Sequence, residues 1–378
     1  MRMAYICADP GIPVFGSKGS SVHVQEVIRA LKKRGLEIHL FALNGEGDYR
    51  TLEDVEVHSL PSLSESDTSA RELSALQNNR HIYRILRRNG PFDLVYERFS
   101  LWSYAGMEYA WKHRIPGLLE VNAPLIEEQA RHRKLVNEGL AGYAAKRAFR
   151  AAKRLLAVST EVAAWLEGYL EGDDHVHVIP NGVDIERFRP DIAPSLPALP
   201  DSFTLGFVGT LKPWHDLNTL AAAFEELHRQ DANTRLLVVG DGPQLAHLKE
   251  RLKKHILSGS VHLSGAVPPA EVPGLVASMD VALALYVRDE RCYFSPLKVY
   301  EYMAAGLPVV ASRSGQLQEL VKDGMNGFLC PPGEPAAVIG AVEFLRENHE
   351  LRASMGRFGR ALVRRHHTWD AVAARILE

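Results

Sequence analysis

Short apolar runs alternate with stretches whose apolar residues recur at helical spacing, and this alternation repeats along most of the chain. Residues 3–8 (MAYICA) predict a buried strand, followed by a Gly- and Ser-rich loop over 11–21. A helix is expected over 22–34, with Val24, Val27, Ile28 and Leu31 on one face and Gly35 beyond its end. Residues 37–42 predict the next strand. Strand, helix and strand make a βαβ unit, which implies a parallel sheet and a right-handed crossover. Residues 44–70 are polar and read as irregular. A basic helix over 70–88 follows, with Arg80, Arg84, Arg87 and Arg88, then strands at 93–97 and 117–121. One long basic helical stretch is expected over 126–154, and strands at 155–158 and 175–179.

A turn at Pro180-Asn181-Gly182-Val183-Asp184 and prolines at 190, 194, 197 and 200 mark a linker. Beyond it the alternation restarts, with strands expected at 203–208, 235–239, 261–263, 281–285 and 309–311. Helices are expected at 217–229, 244–255, 271–278 and 298–304. The last of these begins at Ser295-Pro296 and ends at Gly306-Leu307-Pro308. A closing helix is expected over 350–378. The boundaries predicted are a first domain at 1–185, a linker at 186–202, a second domain at 203–355, and a C-terminal helix at 356–378 crossing back to the first domain. Two αβ halves joined this way place a cleft at the carboxyl ends of both sheets.

The bulk composition narrows the function classes. At 378 residues the chain exceeds one ordinary core. A formal charge of −2 argues against a dedicated nucleic-acid binder. Cys7, Cys292 and Cys330 are too few and too widely spaced for a disulfide framework or a zinc pattern, which suits a reducing compartment. With no apolar run of the ~18 residues that would span a bilayer, and an N-terminal stretch that reads as a strand, a cytoplasmic location is expected. No metal ligands are identified: His366 and His367 are adjacent and do not share a helix face, and Asp184-Ile185-Glu186 reads as a helix start.

Four segments of the second half follow strand ends, where such folds bind ligands. Gly209 to Asp216 offers a glycine for close approach, Lys212 as a point charge and Trp214 as a stacking face. Gly240-Asp241-Gly242-Pro243 is a tight turn into a helix. Residues 286–295 are rich in charge and lead into the helix that carries Glu301, and Ser312 to Gly315 completes the set. Together they describe a pocket for a diphosphate, with Glu301 placed to accept two hydrogen bonds from vicinal hydroxyls. In the first half, the loop GSKGSSVHV lacks the G-x-G-x-x-G spacing of dinucleotide folds, which disfavours a nicotinamide dehydrogenase. The basic stretches at 80–88 and 131–154 read either as solvated faces or as attraction to an anionic surface, an acidic membrane or a phosphorylated acceptor.

The stretches GFVGTLKPWHD (206–216), LLVVGDGP (236–243), FSPLKVYEYMAAGLPVVAS (294–312) and GMNGFLCPPG (324–333) resemble the retaining glycosyltransferases of family 4, also called glycosyl transferases group 1. AVSTEVAAWL (157–166) and VIPNGVDIERFRP (178–190) extend the resemblance into the first half. It implies an α/β protein of GT-B fold: two Rossmann-like αβα domains with an interdomain cleft. The implied reaction moves a sugar from a nucleoside diphosphate sugar, with UDP or GDP as the nucleotide, to an acceptor hydroxyl, without an obligatory metal or other cofactor. The resemblance puts Glu301 on the second glutamate of an E-x7-E motif, which binds the donor ribose. Ser295, Pro296, Leu297 and Lys298 would meet the donor phosphates and sugar, beside Gly209, Gly240 and Gly242. Gly16 to Gly19 would face the reaction centre.

Three departures from the family pattern stand out. Tyr293 stands where the first motif glutamate belongs, leaving Glu290 or Asp289 as substitutes. The usual Arg and Lys on the diphosphate fall on Thr210 and His215, leaving Lys212 or Lys298 to supply the charge. Asn122 replaces a histidine of the first domain. His23 and Glu120 are further candidates for orienting the acceptor, against a structural role for each. The acceptor stays open among a lipid-linked sugar, a polysaccharide and a cyclitol, with peripheral contact to an anionic membrane as an added expectation. A non-catalytic nucleotide-sugar-binding subunit and a sugar-nucleotide epimerase of the same fold are the alternatives.

Overall fold

The first βαβ unit sets the pattern for the N-terminal half. Strand β1 (Arg2–Cys7) leads through a loop into α1 (Gly19–Lys33), and β2 (Glu37–Ala42) returns parallel to β1. The computed structural model describes residues 1–45, 52–63, 67–170, 175–196, 199, 201–288 and 292–378. The linker prolines Pro197 and Pro200, and Asp289, Glu290 and Arg291, fall outside the described residues.

After β2 the chain continues through β3 (Glu56–Ser59), α2 (Thr68–Asn89), β4 (Leu94–Arg98), α3 (Ala105–His113), β5 (Gly117–Val121), α4 (Leu125–His132), α5 (Glu138–Ala151), β6 (Arg154–Ala157), α6 (Thr160–Glu167) and β7 (Val176–Val178). Among the described residues these form one parallel sheet in the order β3-β2-β1-β4-β5-β6-β7. Two sequence expectations change here. The stretch expected to be irregular contains the edge strand β3. The single helix expected over 126–154 is two, because Glu72 captures the backbone N–H groups of Val136 (3.0 Å) and Asn137 (2.8 Å) and breaks the run. The core beneath the sheet gathers Ile6, Phe41, Val95, Leu119, Phe149 and Leu155, all buried.

The C-terminal half starts with β8 (Phe203–Val208), α7 (Leu217–Gln230), β9 (Thr234–Val239), α8 (Leu245–Arg251), α9 (Lys253–Leu257) and β10 (Val261–Gly265). It proceeds through α10 (Val272–Val276), β11 (Val281–Ala284), α11 (Leu297–Ala304), β12 (Val309–Ser312), α12 (Leu317–Leu320) and β13 (Gly327–Cys330). The chain closes with α13 (Pro335–Glu347), α14 (His349–His366) and α15 (Trp369–Leu377). Its strands pair in parallel in the order β10-β9-β8-β11-β12-β13, over a core of Leu205, Phe207, Phe224, Val238, Leu283 and Val310. The closing helix expected over 350–378 is interrupted at His367, and Thr368 Oγ1 restarts it by accepting from the Ala371 N–H at 3.1 Å.

The chain divides into two compact units. One comprises Met1–Pro180 with Tyr293–Ser295 and Val372–Glu378; the other comprises Asn181–Cys292 and Pro296–Ala371. In each, the order reverses beside the first strand, at β1/β4 in one and β8/β11 in the other. Such reversals leave a crevice at the carboxyl ends of the strands, and each candidate cluster sits at one. Among the described residues, no helix is long and apolar enough to cross a membrane.

Candidate functional site

In the second unit the loops after β8 and β9 are bound to each other by backbone. Gly209 N–H donates to the Val239 carbonyl (2.9 Å), Leu211 N–H to Asp241 (2.9 Å) and Gln244 N–H to Leu211 (3.1 Å). Gly209 and Gly240 adopt φ of +141° and +138°, a region closed to L side chains. A Cβ on Gly240 would lie 2.1 Å from the Gly209 carbonyl oxygen, and one on Gly209 would lie 2.9 Å from Lys298 Nζ. At Gly242 it would meet the Leu211 backbone at 2.7 Å. The three glycines permit close contact between two loops and a lysine.

That lysine is the centre of the site. Lys298 is 8% exposed, with Nζ 3.2 Å from His215 Nε2 and 4.0 Å from the Phe207 ring centroid. His215 Nδ1 lies 2.8 Å from the Thr210 carbonyl. An acceptor there requires Nδ1 to carry the proton, so Nε2 presents its lone pair to the ammonium. Burial, then the Lys298 charge, push His215 down to about 2, against the Thr210 hydrogen bond, so the ring is neutral at physiological pH. Burial pulls Lys298 down to about 7, with the Glu301 carboxylate opposing. The site therefore holds a lysine that is only partly charged near neutral pH, and an arriving anion would favour its protonated form.

Helix α11 supports this arrangement. Its C-terminus is a Schellman motif: Gly306, at φ +78°, donates its N–H to Met303 (3.0 Å), and Leu307 donates to Tyr302 (3.0 Å). Tyr302 Oη accepts from the Val208 N–H at 2.7 Å and ties the helix to the end of β8, and Tyr300 Oη donates to Gln316 at 3.1 Å. Val299, Tyr300, Tyr302, Met303 and Ala304 are fully buried. Leu297 and Glu301, one turn apart, form the half-buried stripe. Pro296 is the N-cap residue.

A second polar cluster lies at the β1/β4 crevice of the first unit. Arg98 and Glu120 are register partners on β4 and β5, and Arg98 Nη1 donates to Glu120 Oε1 at 2.5 Å. His23 Nε2, from α1, meets Glu120 Oε2 at 2.9 Å. Tyr96 Oη and Asn122 Nδ2 donate to the same carboxylate. Burial pushes the Glu120 pKa up, but the positive fields of His23 and Arg98, with hydrogen bonds from His23 and Tyr96, outweigh it and hold the carboxyl well below its usual range.

The candidates thus fall into two groups. Gly209, Gly240, Gly242 and Lys298 converge, with Pro296, Leu297 and Glu301 on the same helical segment. Lys212 is half-buried on its loop, with Nζ 5.7 Å from the Trp214 ring centroid. His23 and Asn122 meet at Glu120, while Gly19 is exposed as the first residue of α1. Ser295 belongs with the first unit, and Glu290 lies outside the described residues. Tyr293, the departure from the motif, donates its hydroxyl to Glu128 at 2.8 Å, and its carbonyl accepts from Ser159 Oγ at 3.0 Å. Sequence reasoning missed Arg98 and Tyr96 as members of these clusters. The signal for Arg98 was the Glu97-Arg98 pair closing an otherwise apolar run (LVYER), in which all five residues are buried.

Comparison with known proteins agrees with this architecture. The Glycosyltransferase Family 4 model matches residues 17–187, and the Glycosyl transferases group 1 model matches 202–348. The chain is 27% identical over 386 residues to a D-inositol 3-phosphate glycosyltransferase of Pseudarthrobacter chlorophenolicus, covering 95% of this chain and 89% of that one. It is 30% identical over 209 residues to a GDP-mannose-dependent alpha-(1-6)-phosphatidylinositol monomannoside mannosyltransferase of Mycobacterium tuberculosis, covering 53% and 54% of the two. Among solved structures, Anabaena Alr3699/HepE in complex with UDP and glucose superposes with a TM-score of 0.72 at 20% identity, over 99% of this chain and 98% of that one. WaaG, a glycosyltransferase involved in lipopolysaccharide biosynthesis, gives 0.74 at 16% identity over 99% and 98%. With one model on each half and two parallel-sheet units of GT-B type, this chain belongs to the family 4, group 1 glycosyltransferases.

Proposed function

We propose that this glycosyltransferase takes a UDP- or GDP-sugar as donor and transfers the sugar to an acceptor hydroxyl with retention of anomeric configuration. The observation that carries this reading is the buried Lys298 ammonium, set at the β8/β11 crevice behind Gly209 and one helical turn from Glu301. The donor diphosphate lies against Lys298 and the amino end of α11, and Glu301 accepts from the ribose hydroxyls. In the transfer step the bond between the anomeric carbon and the phosphate oxygen breaks while the acceptor oxygen bonds to that carbon from the same face. The acceptor proton passes to the departing phosphate oxygen, which removes the need for a protein base. Negative charge grows on the diphosphate, where a preorganised cation has its largest effect on the barrier.

A thermal-shift screen of UDP-, GDP- and ADP-sugars tests the reading, because a ligand bound only by the folded chain raises its melting temperature. A shift with UDP- or GDP-sugars alone is expected; the absence of any shift at millimolar donor would overturn it. Glu301→Gln preserves shape and removes the charged acceptor. It is expected to weaken donor affinity by about 1–3 kcal/mol, read by titration calorimetry.

For the acceptor, the names of the matched relatives favour an inositol-type or lipid-linked hydroxyl compound. A basic groove in the first unit supports contact with an anionic membrane. It is lined by Arg80, Arg84, Arg87 and Arg88 of α2 with Lys112 and Arg147, and among the described residues that line it the one acid is Glu108. Arg147 also stacks over Tyr104 at 3.8 Å. Sedimentation with phosphatidylglycerol vesicles is expected at low salt and not at 0.5 M salt, where the Debye length is only about 4 Å. Changing Arg80, Arg84, Arg87 and Arg88 to serine should abolish it.

A further inference from the structure

On the edge of the first unit's sheet, outside both clusters described above, three metal-ligating side chains converge. His39 on β2 and Glu56 on β3 are register partners, and His58 lies two residues beyond Glu56 on the same face of the edge strand. His39 Nδ1 is 3.2 Å from His58 Nε2 and 3.2 Å from Glu56 Oε2, and His58 Nε2 is 3.4 Å from Glu56 Oε1. We propose that His39, Glu56 and His58 bind a divalent transition metal ion of the zinc class, which fastens the edge strand β3 to β2.

Three features of the geometry carry the proposal. First, the spacing fits. Tetrahedral zinc with nitrogen and carboxylate donors at ~2.0–2.1 Å places neighbouring donor atoms about 3.3–3.4 Å apart. The nitrogen–nitrogen separation matches this, and Glu56 presents one oxygen to each nitrogen at 3.2 and 3.4 Å, so a rotation of its carboxylate brings a single oxygen to both without movement of the backbone. Second, the chemistry fits. Two imidazoles and one carboxylate form a three-ligand set that leaves one position for water, and borderline nitrogen donors favour zinc-class ions over magnesium or calcium. Third, the support fits. Glu37 Oε1 lies 3.1 Å from His39 Nε2, so with a metal on Nδ1 the ring can donate its remaining proton to a carboxylate, the usual outer partner of a zinc-bound histidine.

The setting also holds these side chains in place. His39 is 2% exposed and packs edge-on against Phe92 at 5.3 Å, and His58 stacks on Phe41 at 4.5 Å. Two imidazoles in this aromatic wall bring nitrogens within reach of each other, while Glu56 on the exposed side leaves an entry path. Arg2 competes for His39. Its Nη2 lies 2.9 Å from His39 Nε2, so without metal that nitrogen is the acceptor and Nδ1 carries the proton. Metal binding would switch the tautomer: Nδ1 loses its proton, Nε2 gains one, and no net proton is released at His39. Arg2 keeps its hydrogen bonds to Glu37 (3.1 Å) and the Pro91 carbonyl (2.9 Å).

Titration of the full-length, chelator-treated protein with Zn2+ alone, and separately with Co2+, tests the proposal. One equivalent of Zn2+ should bind and raise the melting temperature, and Co2+ should show the visible d–d bands of a tetrahedral site. His58→Ala and Glu56→Gln alter half-buried or exposed side chains and should still fold. Each is expected to weaken Zn2+ binding at least tenfold and to abolish the Co2+ spectrum. Glu37→Gln should weaken binding by about 10–100-fold while preserving that spectrum. Absence of stoichiometric binding to the wild type, or binding and a Co2+ spectrum unaffected by His58→Ala and Glu56→Gln, would overturn the assignment.

Discussion

Replacing Lys298 with methionine is expected to lower kcat for sugar transfer by about 10²–10³-fold while the apo protein stays at least as stable as the wild type at pH 6. The first half of the expectation follows from charge. The leaving diphosphate gains negative charge as the sugar departs, and a fixed donor aimed at such charge in a dry site typically contributes two to three powers of ten. The second half follows from burial. Lys298 is pulled down to about 7, chiefly by desolvation, so the folded chain is strained by holding the ammonium below that pH. Exchanging a buried charge for an apolar side chain of similar length is often neutral or stabilising, by about 1–4 kcal/mol. His215 Nε2 loses its partner, which offsets part of the gain. A fall in kcat together with a lower melting temperature would mean that Lys298 serves packing instead. A melting temperature that holds or rises as activity falls is the signature of a residue kept for function.

The same lysine fixes a pH dependence. Its folded-state pKa lies below the unfolded value, so its contribution to stability is complete above the unfolded value of 10.5 and is lost as pH falls towards about 7. A diphosphate donor acts in the opposite sense, because it favours the protonated form. Above about 7 donor binding must therefore take up a proton, and affinity should fall by up to about tenfold per pH unit. Calorimetry at pH 8.5 in two buffers of different ionisation enthalpy should report uptake approaching one proton for the wild type and none for Lys298→Met.

How far the sequence revealed this depends on whether the information was local. Strands β2, β5 and β8 fall where the apolar runs put them, and Gly306 ends α11 as the capping chemistry predicts, while Pro296 is its N-cap and not its first helical residue. Strand β3 escaped notice because EVHS has no apolar run; as an edge strand its residues are exposed or half-buried. The break in the closing helix escaped because helical periodicity continues through it, and only the Thr368 cap marks the restart. The candidate site divides in the same way. Glu301 and Lys298 sit in a short, distinctive segment, and their shared place on α11 was legible. The role of His215 was not, because its partner lies 83 residues away and the contact depends on the loops after β8 and β11 meeting at the sheet's reversal. Glu120 and Asn122 were read singly, yet they belong to one carboxylate-centred network whose guanidinium comes from the neighbouring strand.

That network yields the largest expected effect on stability. Glu120→Ala should destabilise the first unit by about 3–5 kcal/mol, as removing one partner of a buried ion pair does. At about 2–4 °C per kcal/mol for a unit of this size, the melting transition should fall by roughly 10 °C. The cost arises from what is left behind. Arg98 and His23 are each less than a tenth exposed, and both lose their carboxylate; Tyr96 and Asn122 lose an acceptor. Glu120→Gln keeps the volume and some hydrogen bonds but places donors opposite donors, so a smaller loss is expected. The double change Arg98→Met with Glu120→Leu should recover stability relative to Glu120→Ala alone, because it removes both charges. Hydrogen exchange localises the effect: protection should fall in β4, β5 and α1, which supply the network, and hold in β8 and β9. The sign with pH is also fixed. With its folded pKa depressed, Glu120 contributes stability above the ordinary carboxylate range and loses it only as pH falls towards that depressed value, so the wild-type unit should resist moderate acid. A Glu120→Ala protein that melts within 2 °C of the wild type would show that Arg98 and His23 find water or other partners, and that the carboxylate is not what holds the crevice between β1 and β4.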